Sequence, residues 1–331
     1  MNLISIFDLS GAEIEALVEK AEELKAERKK GVEGVEGVEG VGGVEGVSGR
    51  ARKDLEGRTL ALIFEKPSTR TRVSFEVAGL ELGGNVLSLN WNELQLGRGE
   101  RVQETAKVLS AYVDAVVLRA FRHSTVQEFA RHASASVPVV NGLTDLEHPC
   151  QTLADLMTIK ERKGRLAGVK VAWVGDGNNV CNSLIGGAAL TGMEIRVACP
   201  RGYEPDEGVV EKAKACGCEV LVTDDAEEAV AGADVLYTDV WVSMGDEEAS
   251  EQRKRDLQNF QINADLVRAA KEDAIVLHCM PVHLGEEITE AVLNSDRAVI
   301  FEQAENRLHA QKALLHKLLL HKLFRKKQKS F

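Results

Sequence analysis

Aromatic side chains are scarce in this sequence of 331 residues, which holds three Trp, three Tyr and nine Phe. Positive charge is also in deficit: 41 Lys and Arg face 52 Asp and Glu, a formal net charge of −11. General nucleic-acid binding needs a basic footprint, so this balance argues against a nucleic-acid partner. No run approaches the ~18 apolar residues of a membrane span, so no membrane partner is expected. The opening MNLISIFDLSGAEIEAL has neither a basic start nor a long apolar core, so a secretory signal is not expected either. Six cysteines are scattered without framework spacing, which fits reduced thiols and a cytoplasmic setting. Cys216 with Cys218, and Cys279 with His278 and His283, invite a zinc reading but lack paired C-x-x-C spacing. No metal is expected.

What remains is an ordinary globular composition, long enough for two domains that each bury a core. Ser10-x-x-Glu13 forms a capping box ahead of Ile14, Leu17, Val18, Ala21 and Leu24, which are spaced as one face of a helix. Residues 31–50, a short-period Gly-Val-Glu tract, oppose a helix and read as a flexible surface insertion. Apolar runs then alternate with helical patterns. RTLALIFEK, NVLSLN, DAVVLRAF and VPVVNG make one series of strands, and VKVAWVGD, EIRVACP, CEVLVTD, DVLYTDVW and AIVLHCMP make a second. Continuous apolar strands of this kind are buried on both faces by helices. The expected fold is therefore α/β: two doubly wound parallel-sheet domains joined by long helices, with the active site in the interdomain cleft. The boundaries expected are 1–143 for the first domain, with 305–331 packing back on it, and 144–304 for the second. The stretch 145–163 reads as the connecting helix.

Chemistry gathers at the strand carboxyl ends, where sheets of this kind build their sites. After RTLALIFEK and Pro67 comes Ser68-Thr69-Arg70-Thr71-Arg72 at the start of a helix. Free backbone N–H groups and the helix dipole favour an anion there, and an arginine fork suits phosphate. A solvated, capped helix start is the plainer reading, but so many donors at one turn favour a phosphate cradle. Arg119, His148 with Gln151, Asp239 with Ser243 and Met244, and Cys279 stand at four other strand ends. Gly175-Asp176-Gly177 lacks the third glycine of a dinucleotide fingerprint, and no acidic residue closes the next strand, so NAD is not expected.

STRTR, HPCQ, GDGNN, DVWVSMG, HCMP and AENR follow one another in an order that resembles ornithine carbamoyltransferases over nearly the whole chain. The resemblance implies transfer of the carbamoyl group of carbamoyl phosphate to the δ-amine of L-ornithine, without a cofactor. It also implies a homotrimer or an assembly of trimers. In that case Ser68, Thr69, Arg70, Thr71 and Arg307 would hold phosphate. Arg119, His148 and Thr71 would polarise the carbamoyl oxygen, and Gln151 would accept from its amide nitrogen. Asn179, Asp239, Ser243 and the Met244 backbone would hold ornithine, with Cys279 beside the attacking amine. Asn92 stands where relatives usually carry a glutamine that reaches a neighbouring subunit, and Met280 replaces a leucine, a volume-conserving change. A carbamoyltransferase for putrescine or another amine is the nearest alternative, and a silent regulatory paralogue is the next. The leucine-rich basic end after Gln311 is expected to dock by its apolar face rather than to bind a membrane.

Overall fold

The computed structural model describes residues 1–33, 52–242 and 250–327, with side chains omitted for 31–33 and from 321 onward. Most of the Gly-Val-Glu tract, and Ser243 and Met244, lie outside the described residues. The chain divides into two compact units: Met1–Asp8, Glu15–Asp145 and Arg307–Phe331 form one, and Leu9–Ile14 with Leu146–Asn306 form the other.

In unit one, α1 (Gly11–Glu33) precedes β1 (Thr59–Phe64), α2 (Thr69–Glu81), β2 (Asn85–Asn90), α3 (Val102–Tyr112), β3 (Ala115–Arg119), α4 (His123–His132) and β4 (Val139–Leu143). The Ser10–Glu13 capping box forms at the start of α1, Ser10 N–H donating to the Glu13 carboxylate at 3.0 Å and Glu13 N–H to Ser10 Oγ at 3.3 Å. The helix continues through Gly31 to Glu33, three residues further than the glycine content suggests. The four strands are parallel in the order β2-β1-β3-β4. β3 is buried at every position, whereas the edge strand β2 alternates between exposed and half-buried. Ile63, Val116, Leu118, Val126, Phe129 and Val139 anchor the core of this unit.

In unit two, the connecting helix α5 (Pro149–Lys163) starts four residues later than the pattern suggests. Proline fits only the first turn of a helix, where its missing N–H costs nothing, so Pro149 sets the start. There follow β5 (Lys170–Val174), α6 (Asn179–Thr191), β6 (Glu194–Ala198), α7 (Glu207–Ala215), β7 (Val220–Thr223), α8 (Ala226–Val230), β8 (Val235–Thr238), α9 (Ser250–Leu257), α10 (Ala264–Ala269), β9 (Ile275–His278) and α11 (Glu290–Leu293), and then α12 (Ile300–Lys327), which belongs to this unit up to Asn306 and to unit one from Arg307. The five strands are parallel in the order β7-β6-β5-β8-β9. The nine strands coincide with the apolar runs of the sequence, β4 alone ending one residue past its run, at Leu143. Among the described residues, no helix is long and apolar enough to cross a membrane.

The final helix begins at Ile300, a few residues ahead of AENR, and carries Arg307. Ala310, Ala313, Leu314, Leu315, Leu318 and Leu319 on it are buried, which is the docking expected of its apolar face. It is also pinned by charge. Lys312 Nζ meets Glu81 Oε2 at 2.8 Å, and Arg28 Nε meets Glu81 Oε1 at 3.0 Å. Burial pushes the Glu81 carboxyl up, but its bonds to Lys312 and Arg28 outweigh that and hold it below the usual range.

A carboxylate with a depressed folded pKa contributes stability above its unfolded value, about 4.3, and loses it as pH falls through the lower folded value. Replacing Glu81 by Gln leaves Lys312 buried without its counter-charge, a cost of about 1–3 kcal/mol at pH 7. The difference in melting temperature between the two proteins should shrink as pH drops below about 4. A difference that stays constant from pH 7 to pH 3 would show that the pair contributes nothing.

Candidate active site

Both sheets reverse their winding once. In unit one β1 leads to β2 on one side, while β3 and β4 lie on the other; in unit two β5 leads to β6 and β7, while β8 and β9 lie opposite. Such a reversal leaves a crevice at the strand carboxyl ends, the usual ligand site of open parallel sheets. The β1/β3 crevice carries Ser68–Thr71 and Arg119. The β5/β8 crevice carries Asn178, Asn179 and Asp239.

At the first crevice, Ser68 caps α2 in extended conformation, its Oγ accepting from Thr71 N–H at 3.2 Å. Thr69 is exposed, Arg70 half-buried and Thr71 buried. Arg307, only 2% exposed, donates from Nη2 to Thr71 Oγ1 at 3.1 Å and so brings α12 to the same helix start. Arg119 ends β3 at a register irregularity with β4, opposite Phe64 at the end of β1, and is 6% exposed. Arg72 belongs elsewhere. More than half exposed, it pairs with Glu76 at 3.1 Å one turn along the helix, an ordinary surface ion pair. The STRTR run therefore divides by helix geometry, with Ser68 and Thr71 at the helix start and Arg72 turned to solvent. Asn92 is exposed on a short 3-10 turn after β2, its N–H donating to Asn90 Oδ1 at 3.0 Å.

The second crevice is organised around carboxylates. Asp239, 7% exposed, accepts from Asn178 Nδ2 on Oδ2 at 2.8 Å, and from Val240 N–H and the Cys279 thiol on Oδ1, both at 2.8 Å. Asn178 serves two tasks. Its Oδ1 caps α6 by accepting from Val180 N–H at 2.9 Å and Cys181 N–H at 3.2 Å, while its nitrogen fixes Asp239. Its neighbour Asn179 opens the helix. Gly177 is required by space rather than by a nucleotide: a Cβ there would meet Pro205 N at 2.3 Å and Glu204 C at 2.6 Å, both backbone atoms that cannot turn aside.

His148, at the N-cap position of α5, donates its backbone N–H to Ser183 Oγ at 2.7 Å, and its side chain does not cap the helix. Gln151, one turn along, is 1% exposed and donates from Nε2 to Asp155 Oδ1 at 2.8 Å. Met280 sits at φ 62°, a left-handed conformation costly for a side chain with a Cβ, and its N–H donates to His278 Nδ1 at 2.8 Å. That bond makes Nδ1 the acceptor, so Nε2 carries the proton given to Glu287 Oε1 at 2.9 Å.

Asp239, His278 and Cys279 present ligand atoms within 4.8 Å of one another. A metal there would have to displace a bond at a ring nitrogen of His278 and the thiol proton shared with Asp239. The other cysteines differ in surroundings. Burial pushes the Cys199 thiol up to about 12 and Cys181 well above the ordinary thiol value. Asn178, Asp155 and Glu287 escape sequence reasoning. Asn178 alone left a signal, as a polar residue preceding an apolar helix.

Two family models match the chain. The aspartate/ornithine carbamoyltransferase carbamoyl-P binding domain covers residues 1–161, and the Asp/Orn binding domain of the same family covers residues 167–318. An ornithine carbamoyltransferase of Archaeoglobus fulgidus is 50% identical over 318 residues, 96% of this chain and 97% of that protein. One from Carboxydothermus hydrogenoformans is 50% identical over 322 residues, 96% of this chain and 97% of that one. The solved ornithine carbamoyltransferase of Pyrococcus furiosus, 47% identical, superposes with a TM-score of 0.86 and covers 96% of each chain. That of Thermus thermophilus, 44% identical, gives 0.82 and covers 96% of this chain and 98% of the other.

Proposed function

Since the chain belongs to the aspartate/ornithine carbamoyltransferase family, we propose that it transfers the carbamoyl group of carbamoyl phosphate to the δ-amine of L-ornithine, releasing L-citrulline and phosphate. The observation that carries this reading is the chemistry of the two winding reversals. One holds a capped helix start with Thr71 and Arg307, fit for phosphate, and the other holds a buried carboxylate beside a thiol, fit for an amino acid's ammonium group.

In this mechanism Ser68, Thr69, Arg70, Thr71 and Arg307 bind the phosphate, and the amides at the start of α2 add donors. Arg119, His148 and Thr71 stabilise the oxyanion that develops when the amine adds to the carbamoyl carbon. Gln151 accepts from the carbamoyl nitrogen. Asp239 takes the α-ammonium, with Asn179, Ser243 and the Met244 backbone completing the ornithine contacts. Cys279 and Met280 stand at the turn after β9, where Cys279 positions the δ-amine. The new C–N bond forms as the bond to phosphate oxygen breaks, and the departing phosphate accepts the amine's proton. The protein acts on its substrates as a trimer in the cytoplasm, with Asn92 near a neighbouring copy. Large exposed side chains on unit one, Val73, Leu80, Leu87, Val108 and Tyr112, support such association.

Ureido product should form with ornithine and not with putrescine or aspartate, because putrescine has no α-carboxylate to be held. A free δ-amine titrates near 10.4, so only about one molecule in 2,500 is neutral at pH 7. The kcat/KM for ornithine should accordingly climb from pH 6 to about pH 8. Preference for putrescine, or a flat profile, would contradict the reading.

The two arginines should fail differently. Arg70→Ala should raise the KM for carbamoyl phosphate as well as slow turnover. Arg119→Ala should act mainly on kcat, on the order of 10²–10³-fold. Small, equal losses in steady-state assays would remove Arg119 from the oxyanion role.

A further inference from the structure

Asp155 has no place in the chemistry above, yet three donors converge on its fully buried carboxyl. Gln151 Nε2 and Gln303 Nε2 both reach Oδ1, at 2.8 and 2.7 Å, and the Tyr237 hydroxyl reaches Oδ2 at 3.1 Å. Burial, and then the charges of Asp155, Cys279 and Asp239, push the Tyr237 hydroxyl well above its ordinary value, so the phenol stays protonated and can donate. Gln303 is fixed from both ends, for its Nε2 also meets the Tyr237 oxygen at 2.8 Å and its Oε1 accepts from His278 N–H at 2.9 Å.

A side-chain amide has a donor end and an acceptor end, and a carboxylate offers only acceptors. Gln151 must therefore turn its nitrogen to Asp155, which directs its oxygen away from that carboxylate. An Asn at position 155 would offer a donor as well as an acceptor, and the preference between the two orientations of Gln151 would be lost.

We infer that Asp155 is a positioning residue for substrate choice: by holding Gln151 nitrogen-inward, it makes the amide oxygen select an NH2 group over a methyl group on the acyl phosphate. The inference rests on the carbamoyl-transfer reading, in which Gln151 accepts from the carbamoyl nitrogen. A flipped amide would set N–H against N–H and lose that contact. Acetyl phosphate is the matching probe, because it keeps the phosphate and the carbonyl and replaces NH2 by CH3.

The test compares the KM for carbamoyl phosphate with the inhibition constant of acetyl phosphate. In Asp155→Asn, carbamoyl phosphate should weaken about tenfold, the worth of one hydrogen bond, while acetyl phosphate changes less than about twofold. Asp155→Ser should give the same collapse of discrimination and stands in if the Asn variant does not fold. Gln151→Met should lose the same discrimination, and combining it with Asp155→Asn should lose no more. Tyr237→Phe removes the Oδ2 bond and the bond that Gln303 gives to the phenol oxygen but leaves Gln151 on Oδ1, so it should lower the melting temperature and leave discrimination intact.

Equal weakening of both acyl phosphates in the position-155 variants would reduce Asp155 to a core residue and overturn the inference. Additive losses in the double variant, or a collapse in Tyr237→Phe as deep as that in Asp155→Asn, would do the same. If the unaltered chain makes no citrulline, the functional reading itself fails. A chain that makes citrulline, but whose position-155 variants weaken both ligands alike, sinks only the role of Asp155.

Discussion

Where a parallel sheet reverses its winding, the two connections leave toward opposite faces, and nothing covers the strand ends between them. Each unit has one such place, at β1/β3 and at β5/β8. The placement of several candidate site residues, Ser68, Thr71, Arg119, Asn178 and Asp239, follows from this constraint. Strand carbonyl groups have run out at those ends, helix starts present unpaired N–H groups, and polar side chains can stand there without breaking the core. Ser68 and Thr71 occupy one reversal, Asn178 and Asp239 the other, and the apolar strands behind them supply rigidity rather than chemistry.

The two crevices solve opposite electrostatic problems. Unit one gathers cations, with Arg119 and Arg307 almost fully buried, a state that only an anion or a dense set of acceptors can make tolerable. Unit two buries carboxylates, and donors converge on two of them, Asp239 and Asp155. Asp239 has three and Asp155 has three. Gln303, on the helix that follows the second sheet, ties the Asp155 cluster to the backbone of His278, next to Cys279. A change at Asp155 is therefore felt on α5 and at the end of β9 alike.

The strands were legible in the sequence because strands buried on both faces read as unbroken apolar runs, and Ser68 and the Ser10 box because capping residues have few alternatives. The start of α5 was misplaced by four residues because apolar and polar spacing alone ignores what Pro149 enforces. Arg72 counted with Arg70 toward the donor-rich turn without being assigned to phosphate, and the structure turns it to solvent, paired with Glu76. The Asp155 cluster could not be read at all. Gln151 stood out on its own, but Tyr237 and Gln303 lie up to 148 residues from Asp155 along the chain, and each of those two alone passes for a core or surface residue. Ser243 and Met244 remain as read from the sequence.

The central claim is a division of labour between the two winding reversals, and hydrogen exchange on the intact chain tests it directly. Carbamoyl phosphate added alone should slow exchange of the amides at the start of α2, residues 69–72, and leave residues 178–182 unchanged. L-norvaline, which is ornithine without its reactive δ-amine, should then slow exchange at 178–182 and around 239–240. Protection of both regions by either ligand alone would contradict the division, and so would protection of neither at saturating concentrations.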